Sequence, residues 1–375
     1  MVATPAWMLE LGPRAPGALA PARRLLGLSV PLRLALSAAS AGATAVVVPD
    51  GDTEMVAALA DARLSIPVVH ASSAGAGLRV RVPADWVVHR GLFAALVAAG
   101  LDADRDLERA PFAFAPPFGF EPVAVVDDAS ARRAERALLR SLRKPQDGWT
   151  STYLNRHISL AITRWLVRTP LRPNQVSVAI LGVGILGAWL ATRGTWGCLA
   201  LGALCFQAQS VLDGCDGEMS RITFRGSRTG EWLDTVGDDL TNYGFFAGAA
   251  WGLSHTTGHA LYLALGAVTV ACGVLGSGIE YRYLIRIGSG DLLRYPLGVG
   301  KAPGGGAATS SLGRLVDALS PLFKRDTFVL LTLLGALAGP PVLGVFLAAF
   351  AAGAVGVLVA ILKAEARMAR ERRAA

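Results

Sequence analysis

Cysteine, lysine and charge are all scarce in this 375-residue chain. The four cysteines, Cys198, Cys205, Cys215 and Cys272, lie in or beside apolar runs with no metal-ligand spacing among them. They read as small buried residues rather than a disulfide framework or a zinc site. Only two lysines, Lys144 and Lys301, precede residue 302. Charged residues make up 17% of the chain against 53% hydrophobic, and the mean hydropathy is +0.45. The N-terminus has no basic stretch followed by a clean apolar core, so the chain reads as starting in the cytoplasm and not with a secretory signal. Aromatic and basic residues are not interleaved as in single-strand binding, which argues against nucleic acid as the partner of the +8 net charge. The arginines sit beside apolar runs instead, which fits anionic lipid headgroups and the positive-inside rule.

What is present divides the chain in two. Residues 1–145 alternate short apolar runs (43–49, 66–70, 78–82, 122–126) with helical patterns (30–41, 54–63, 91–99), the mark of an α/β layer with a largely parallel sheet. A Pro/Phe-rich piece, 111–120, reads as a loop, and 129–143 as an Arg-rich helix. Residues 146–172 form a joining segment. In 150–169, Leu154, Ile158, Ala161, Ile162, Trp165 and Leu166 recur at helical spacing, with Arg156, Arg164 and Arg168 interspersed. This predicts a juxtamembrane amphipathic helix with its basic side chains on lipid phosphates. Pro170 and Pro173 break it.

Residues 173–375 are all-α in pattern. A spanning helix needs about 20 apolar residues, which 174–191, 196–212, 232–253, 260–279 and 342–362 supply. The run 327–339 is short and reaches that length only if it extends back through Lys324, Arg325 and Asp326. The expectation is therefore six transmembrane helices. The connections 192–195, 254–259 and 338–341 hold one basic residue, Arg193. The other side collects Arg221, Arg225 and Arg228, the basic residues of 282–325, and the basic tail from Lys363. This predicts an integral protein of the cytoplasmic membrane with both termini in the cytoplasm. The segment 283–321 reads as a long inner loop; its Gly-rich part, 298–306 with Lys301, lacks phosphate-loop spacing.

Carboxylates inside apolar helices are the unusual feature, because each costs about 2.5–3.5 kcal/mol at mid-membrane even on lenient scales. Asp213 and Asp216 are three apart and share a helix face; Asp234 and Asp238 are four apart and do the same. A short connection lets the two faces meet, and four converging carboxylates repel unless cations neutralise them. Oxygen ligands without His or Cys favour Mg²⁺ or Mn²⁺, and two ions suit phosphoryl chemistry. The competing structural reading is a salt-bridge cluster with Arg221, Arg225 and Arg228. Asp239, about 100° around the helix from Asp238, reads as a packing residue. Gln207 and Gln209 read as helix–helix hydrogen-bonding residues.

The run Asp213, Asp216-Gly217, Ser220-Arg221, Gly230, Asp234, Asp238 resembles the signature D-x2-D-G-x2-A-R-x8-G-x3-D-x3-D of the CDP-alcohol phosphotransferase family, with Ser220 in place of the usual alanine. The resemblance covers roughly residues 150–362. It implies that Asp213, Asp216, Asp234 and Asp238 bind two metal ions at the donor's pyrophosphate. Gly217, Ser220 and Gly230 would admit the cytidine nucleotide, and Arg221 would pair with a phosphate. Asp238 would deprotonate the acceptor hydroxyl, which attacks the β-phosphorus and expels CMP. Asn174, in a Pro-Asn segment like the family's, either caps its helix or reaches the site. Arg282 and Arg325 either bind the acceptor's phosphate or only set topology.

The join 138–175 resembles that of fused enzymes of inositol phosphodiester synthesis, in which a cytidylyltransferase domain precedes the membrane domain. Residues 1–128 resemble that nucleotidyltransferase fold weakly. Gly12, Arg14 and Gly17 fall where its glycine-rich loop belongs, without the full pattern or its lysine. This implies a degenerate or regulatory domain without nucleotide transfer. The donor is then CDP-diacylglycerol or a CDP-inositol-like compound, and the acceptor an alcohol or a polyol phosphate. Two other classes compete: a catalytically silent membrane scaffold, and a metal-ion transporter that uses the aspartates as a path. Small residues across 184–188 allow a homodimer.

Overall fold

The computed structural model of the chain describes residues 5–108, 120–143, 148–297 and 324–374. It divides into two compact units. One comprises Met1–Pro145, Arg164–Pro170 and Met219–Arg225; the other comprises Gln146–Thr163, Leu171–Glu218 and Gly226–Ala375.

The first unit is built on a five-stranded parallel sheet. Its strands are β1 (Trp7–Gly12), β4 (Val46–Val48), β5 (Val68–His70), β6 (Leu78–Pro83) and β8 (Arg105–Asp106), in the order β5-β4-β1-β6-β8. The central strand is β1, pairing with β4 on one side and with β6 along its whole length on the other. The sequence reading passed over it, because Trp-Met-Leu-Glu-Leu is a nearly unbroken apolar run with no alternation. That is how a strand covered on both faces is written, and its Trp7, Leu9 and Leu11 are fully buried. The helices α1 (Val30–Ser40), α2 (Thr53–Leu59) and α3 (Leu92–Ala98) fall where the periodicity put them, although α2 stops four residues short of the expected 63. The expected strand at 122–126 is corrected: β9 (Val123–Ala124) pairs antiparallel with β7 (Trp86–Val87) in a separate ribbon and does not extend the parallel sheet. The loop 111–120 lies outside the described residues except for Phe120.

A second ribbon, β2 (Arg24–Leu25) with β3 (Leu28–Ser29), turns on Leu26 and Gly27, whose φ values are 48° and 82°. Two positive-φ residues define a type I′ hairpin turn, which strongly prefers glycine. Gly27 is needed for space as well, since a Cβ there would stand 2.7 Å from the carbonyl oxygen of Val167. The helix α4 (Asp128–Arg140) starts from a capping box, with Ser130 N–H donating to Asp127 at 2.7 Å.

The second unit is helical. A π-helical turn, Ser151–Asn155, leads into α5 (Arg156–Leu166). Then follow α6 (Pro173–Ala191), α7 (Trp196–Thr223), α8 (Arg228–Thr257), α9 (Leu261–Ile287), α10 (Arg325–Ala338) and α11 (Pro340–Ala374). Four of these, α6, α7, α9 and α11, are long and apolar enough to cross a membrane. The most apolar stretch of α11 has a mean hydropathy of 2.7, yet only 17% of it is buried. Apolar helices that present their side chains outward are helices in lipid, so the chain is an integral membrane protein. Helix α8 is long but less apolar, with four acids in its first half and polar residues such as Asn242, Ser254 and His255 after them, and α10 is only 14 residues long. The backward extension of α10 is observed through Arg325, with Lys324 at the N-cap. Helix α9 continues to Ile287, so the expected loop from 283 starts later; its part from 298 to 323, with Lys301, lies outside the described residues.

The core of this unit gathers Phe206, Phe245 and Phe246 with Leu199, Leu253 and Leu347. Phe206 stacks on Phe245 with ring centroids 4.7 Å apart. Close helix approach depends on small residues: a Cβ at Gly184 would stand 2.2 Å from Thr241 Cγ2. The segment 184–188, read as allowing a homodimer, uses its glycines in packing within the chain. Gly184 packs on α8, and Gly187 packs on Gly202 of α7.

Candidate active site

Helices α6, α7 and α8 bring Ser177, Asp213, Asp216, Asp234 and Asp238 to the wall of one cleft, with Gln209 beside them. Asp213 and Asp216 come from successive turns of α7, Asp234 and Asp238 from successive turns of α8. All four signature aspartates therefore face the same space. Ser177 Oγ donates to Asp216 Oδ2, and the Gly217 N–H donates to Asp216 Oδ1, which fixes that carboxylate. Thr241 follows Asp238 by one turn and bonds back to the carbonyls of Gly237 and Asp238 at 2.9 and 3.0 Å.

The fifth charged group is Arg325, at the start of α10. Its Nη1 lies 3.3 Å from Asp213 Oδ2 and its Nη2 2.9 Å from Asp238 Oδ1. Nη2 also donates to Gln209 Oε1 at 2.7 Å, and Nε to Asn242 Oδ1 at 3.3 Å. The sequence left Arg325 between acceptor binding and topology, and the geometry brings it into the aspartate cluster itself. Arg325 from α10 is thus a cationic partner of Asp213 and Asp238 that the competing reading, with Arg221, Arg225 and Arg228, did not include. Arg282 is exposed on α9 and is not brought to the cleft.

Four carboxylates gathered on one cleft in a largely apolar surround concentrate negative charge, which cations such as Arg325 offset. The donor set is hard oxygen only, which suits Mg²⁺ or Mn²⁺. Among the described residues, no three His, Cys, Asp or Glu side chains are yet drawn together closely enough to hold an ion. The residues fit such a group by chemistry and by shared cleft.

Other signature positions have local reasons of their own. Gly230 N–H donates to the N-cap Ser227 Oγ at 3.0 Å, and a Cβ at 230 would stand 2.9 Å from Asn174 Oδ1. Gly230 thus keeps the start of α8 close to the start of α6. Asn174 bonds across to Ser227 at 3.5 Å. Ser220 and Arg221 lie in the last turn of α7, which groups with the first unit. There the carbonyls of Ile222 and Thr223 accept from Arg33 and Arg63 at 2.8 and 2.7 Å. Two guanidiniums therefore cap the carbonyl end of the signature helix, where a cation is favoured. Burial pushes the Arg33 guanidinium down to about 10, helped by nearby Arg63.

The sequence reading missed Glu218, which sits inside the signature. It is fully buried and accepts from Arg156 Nη1, Ser159 Oγ and Thr163 Oγ1, each at 2.7 Å. The available signal was the polar stripe Arg156, Ser159, Thr163 at spacings of three and four on α5. This corrects the assignment to lipid phosphates for Arg156, which is buried against Glu218; the half-exposed Arg164 and Arg168 also lie 3.5 and 3.2 Å from Glu135. Asp239 is a packing residue as expected, accepting from Ser277 at 2.5 Å and Tyr281 at 2.7 Å. Gln207 bonds to Asn155 at 3.4 Å.

No protein-family model matches the chain. Among curated proteins it is similar to enzymes named bifunctional IPC transferase and DIPP synthase. The identity is 37% over 117 residues in Thermococcus kodakarensis, 30% over 177 in Archaeoglobus fulgidus and 34% over 119 in Aquifex aeolicus. These stretches are 31%, 44% and 32% of this chain and 26%, 35% and 27% of those proteins. The chain thus spans a quarter to a third of the length of the curated relatives it matches. The likeness to the fused enzymes, read from the aspartate signature and the join, agrees with these relatives, which are named as transferases. Two solved structures of Mycobacterium tuberculosis phosphatidylinositol phosphate synthase, one with CDP-DAG bound and one apo, are each 21% identical. They cover 56% and 54% of this chain and 93% and 94% of their own, with TM-scores of 0.41 and 0.40, values too low to equate the folds.

Proposed function

We propose that the second unit is a membrane-embedded enzyme that transfers a substituted phosphate group from a CDP-alcohol to an alcohol acceptor and releases CMP. The observation that carries this reading is the convergence of Asp213, Asp216, Asp234 and Asp238 from two helices on one cleft, with Arg325 bridging Asp213 and Asp238. Two Mg²⁺ or Mn²⁺ ions would be held by these four carboxylates, and when bound they supply neutralisation of the donor's pyrophosphate. Asp238 accepts the proton of the acceptor hydroxyl; the oxygen so freed attacks the β-phosphorus, and the bond to the CMP oxygen breaks. Arg325 and Gln209 hold the Asp238 carboxylate at 2.9 and 3.4 Å and so orient the base. Ser177 orients Asp216 in the same way. Gly217, Ser220, Gly230 and Arg221 admit the nucleotide in this reading, and Arg325 meets the acceptor.

All six helices α6 to α11 span in this reading, with both termini and the site on the cytoplasmic side. The first unit transfers no nucleotide of its own. The loop after β1 lacks the lysine of the family pattern, and its Ala15 N–H is tied to Asp85 at 3.1 Å. The donor is CDP-diacylglycerol or a CDP-inositol-like compound. Mass spectrometry of products, after purified protein is offered both donors with alcohol and polyol-phosphate acceptors, decides between them. A new phosphodiester with equimolar CMP is expected from one donor. CMP from neither would overturn the proposal.

A further inference from the structure

The first unit contains a cavity of about 290 Å³ that the transfer reaction does not use. It lies beside the β2–β3 hairpin, between the start of α1 and the end of α2. Its polar wall is Arg24, Ser29, Asp61, Arg63 and Arg225; the rest is Leu28, Leu32, Gly27 and four alanines. Three guanidiniums thus face one carboxylate. That carboxylate is already taken: Arg63 grips Asp61 with Nε and Nη2, both at 2.6 Å, and holds it down at about 2. Arg24 and Arg225 are exposed at the rim, and no ion pair of either is found among the described residues. Arg225 also acts on Asp61 through space, but among the described lining residues three guanidiniums stand against that single carboxylate, leaving the wall positive.

We infer that this cavity binds a small phosphorylated anion, with Arg24 and Arg225 as its primary ligands. Guanidinium pairs recognise phosphate oxygens through forked, charge-assisted hydrogen bonds. The volume corresponds to about ten waters, enough for a phosphate with a compact polyol but at the lower edge of small-molecule sites. Among the described residues no aromatic side chain lines the cavity, so none of them offers a platform on which a nucleobase would stack. The position makes the site regulatory in kind, because the same Arg63 that forms its floor also caps Thr223 at the end of α7. The phosphate comes from a soluble phosphomonoester or from a lipid headgroup, and both present the same dianion to the arginines. The inference does not depend on the proposed transfer reaction.

The test is isothermal titration of inorganic phosphate into the full chain in phosphatidylcholine nanodiscs at low salt. Wild type, Arg24→Gln/Arg225→Gln and Asp238→Asn are compared, with thermal midpoints recorded to verify folding. The inference predicts saturable binding to wild type and to Asp238→Asn, and binding at least tenfold weaker in the double variant. No binding to wild type, or a smaller loss in the double variant, would overturn it. Repeating the titration in discs with 30% phosphatidylglycerol separates the sources. Unchanged affinity supports a soluble ligand, and loss of phosphate binding in wild type supports a headgroup already seated there.

Discussion

Glu218 shows what one buried charge does for the signature helix. Its carboxylate is wholly buried and satisfied by Arg156, Ser159 and Thr163. Breaking one side of such a pair strands the other charge, which costs about 3–5 kcal/mol. Glu218→Gln is therefore expected to lower the thermal midpoint of the purified protein sharply. Arg156→Met/Glu218→Met should recover much of the loss, since an apolar replacement of both partners is often neutral; a double variant as unstable as the single would contradict this account. Asp61 offers a pH counterpart. Hydrogen bonding to Arg63 holds it at about 2, below the ordinary 3.8. A carboxylate depressed by folding contributes stability that is complete above the ordinary value and is lost as pH falls through the folded one. Thermal unfolding between pH 5 and pH 2 should show this loss in wild type and a flatter profile in Asp61→Asn. Of these residues the sequence revealed little. Glu218 occupies a variable position of the signature, and its partners, marked only by their three-and-four spacing on α5, lie 55 to 62 residues away.

Helix packing in the second unit is read best at its glycines. Gly184 and Gly182 are neighbours on α6 with opposite surroundings. A Cβ at 184 meets Thr241 at 2.2 Å, whereas one at 182 meets nothing within 4 Å. Gly184→Val should destabilise by at least about 1–3 kcal/mol through overpacking, and Gly182→Val should be tolerated; thermal unfolding of the two in the same detergent checks the contrast. The elements themselves were legible where periodicity was strong. Helices α1, α3, α4, α6, α7 and α11 start where their apolar patterns or Pro173 put them, within a few residues. Helix α8 was legible despite its acids because Asp234 and Asp238 recur on one face. Strand β1 was not, because burial on both faces erases the alternation that marks a strand. The destination of β9 was not either, because two residues of apolar sequence do not specify which partner they join.

At the scale of the whole molecule, the aspartate spacing predicted the shared cleft, since positions three and four apart on adjoining helices have few other ways to face. The arrival of Arg325 between Asp213 and Asp238 was not predictable, as it depends on how α10, some 90 to 110 residues later, packs against α7 and α8. Its expected effect is testable: Arg325→Gln removes a cation that bridges the pair, so acceptor KM should rise at least tenfold while the donor KM changes less. The topology reading predicts that a cysteine at Arg193 and one at Lys363 label from opposite sides of sealed vesicles; labelling from the same side would contradict it. The most direct measurement of the central claim is CMP release from a CDP-alcohol by the purified protein, with and without Mg²⁺. The account predicts release that requires the ion and that falls at least about 100-fold in Asp238→Asn, the scale on which a general base acts. Equal release by Asp238→Asn and wild type, or release indifferent to Mg²⁺ and Mn²⁺, would contradict it.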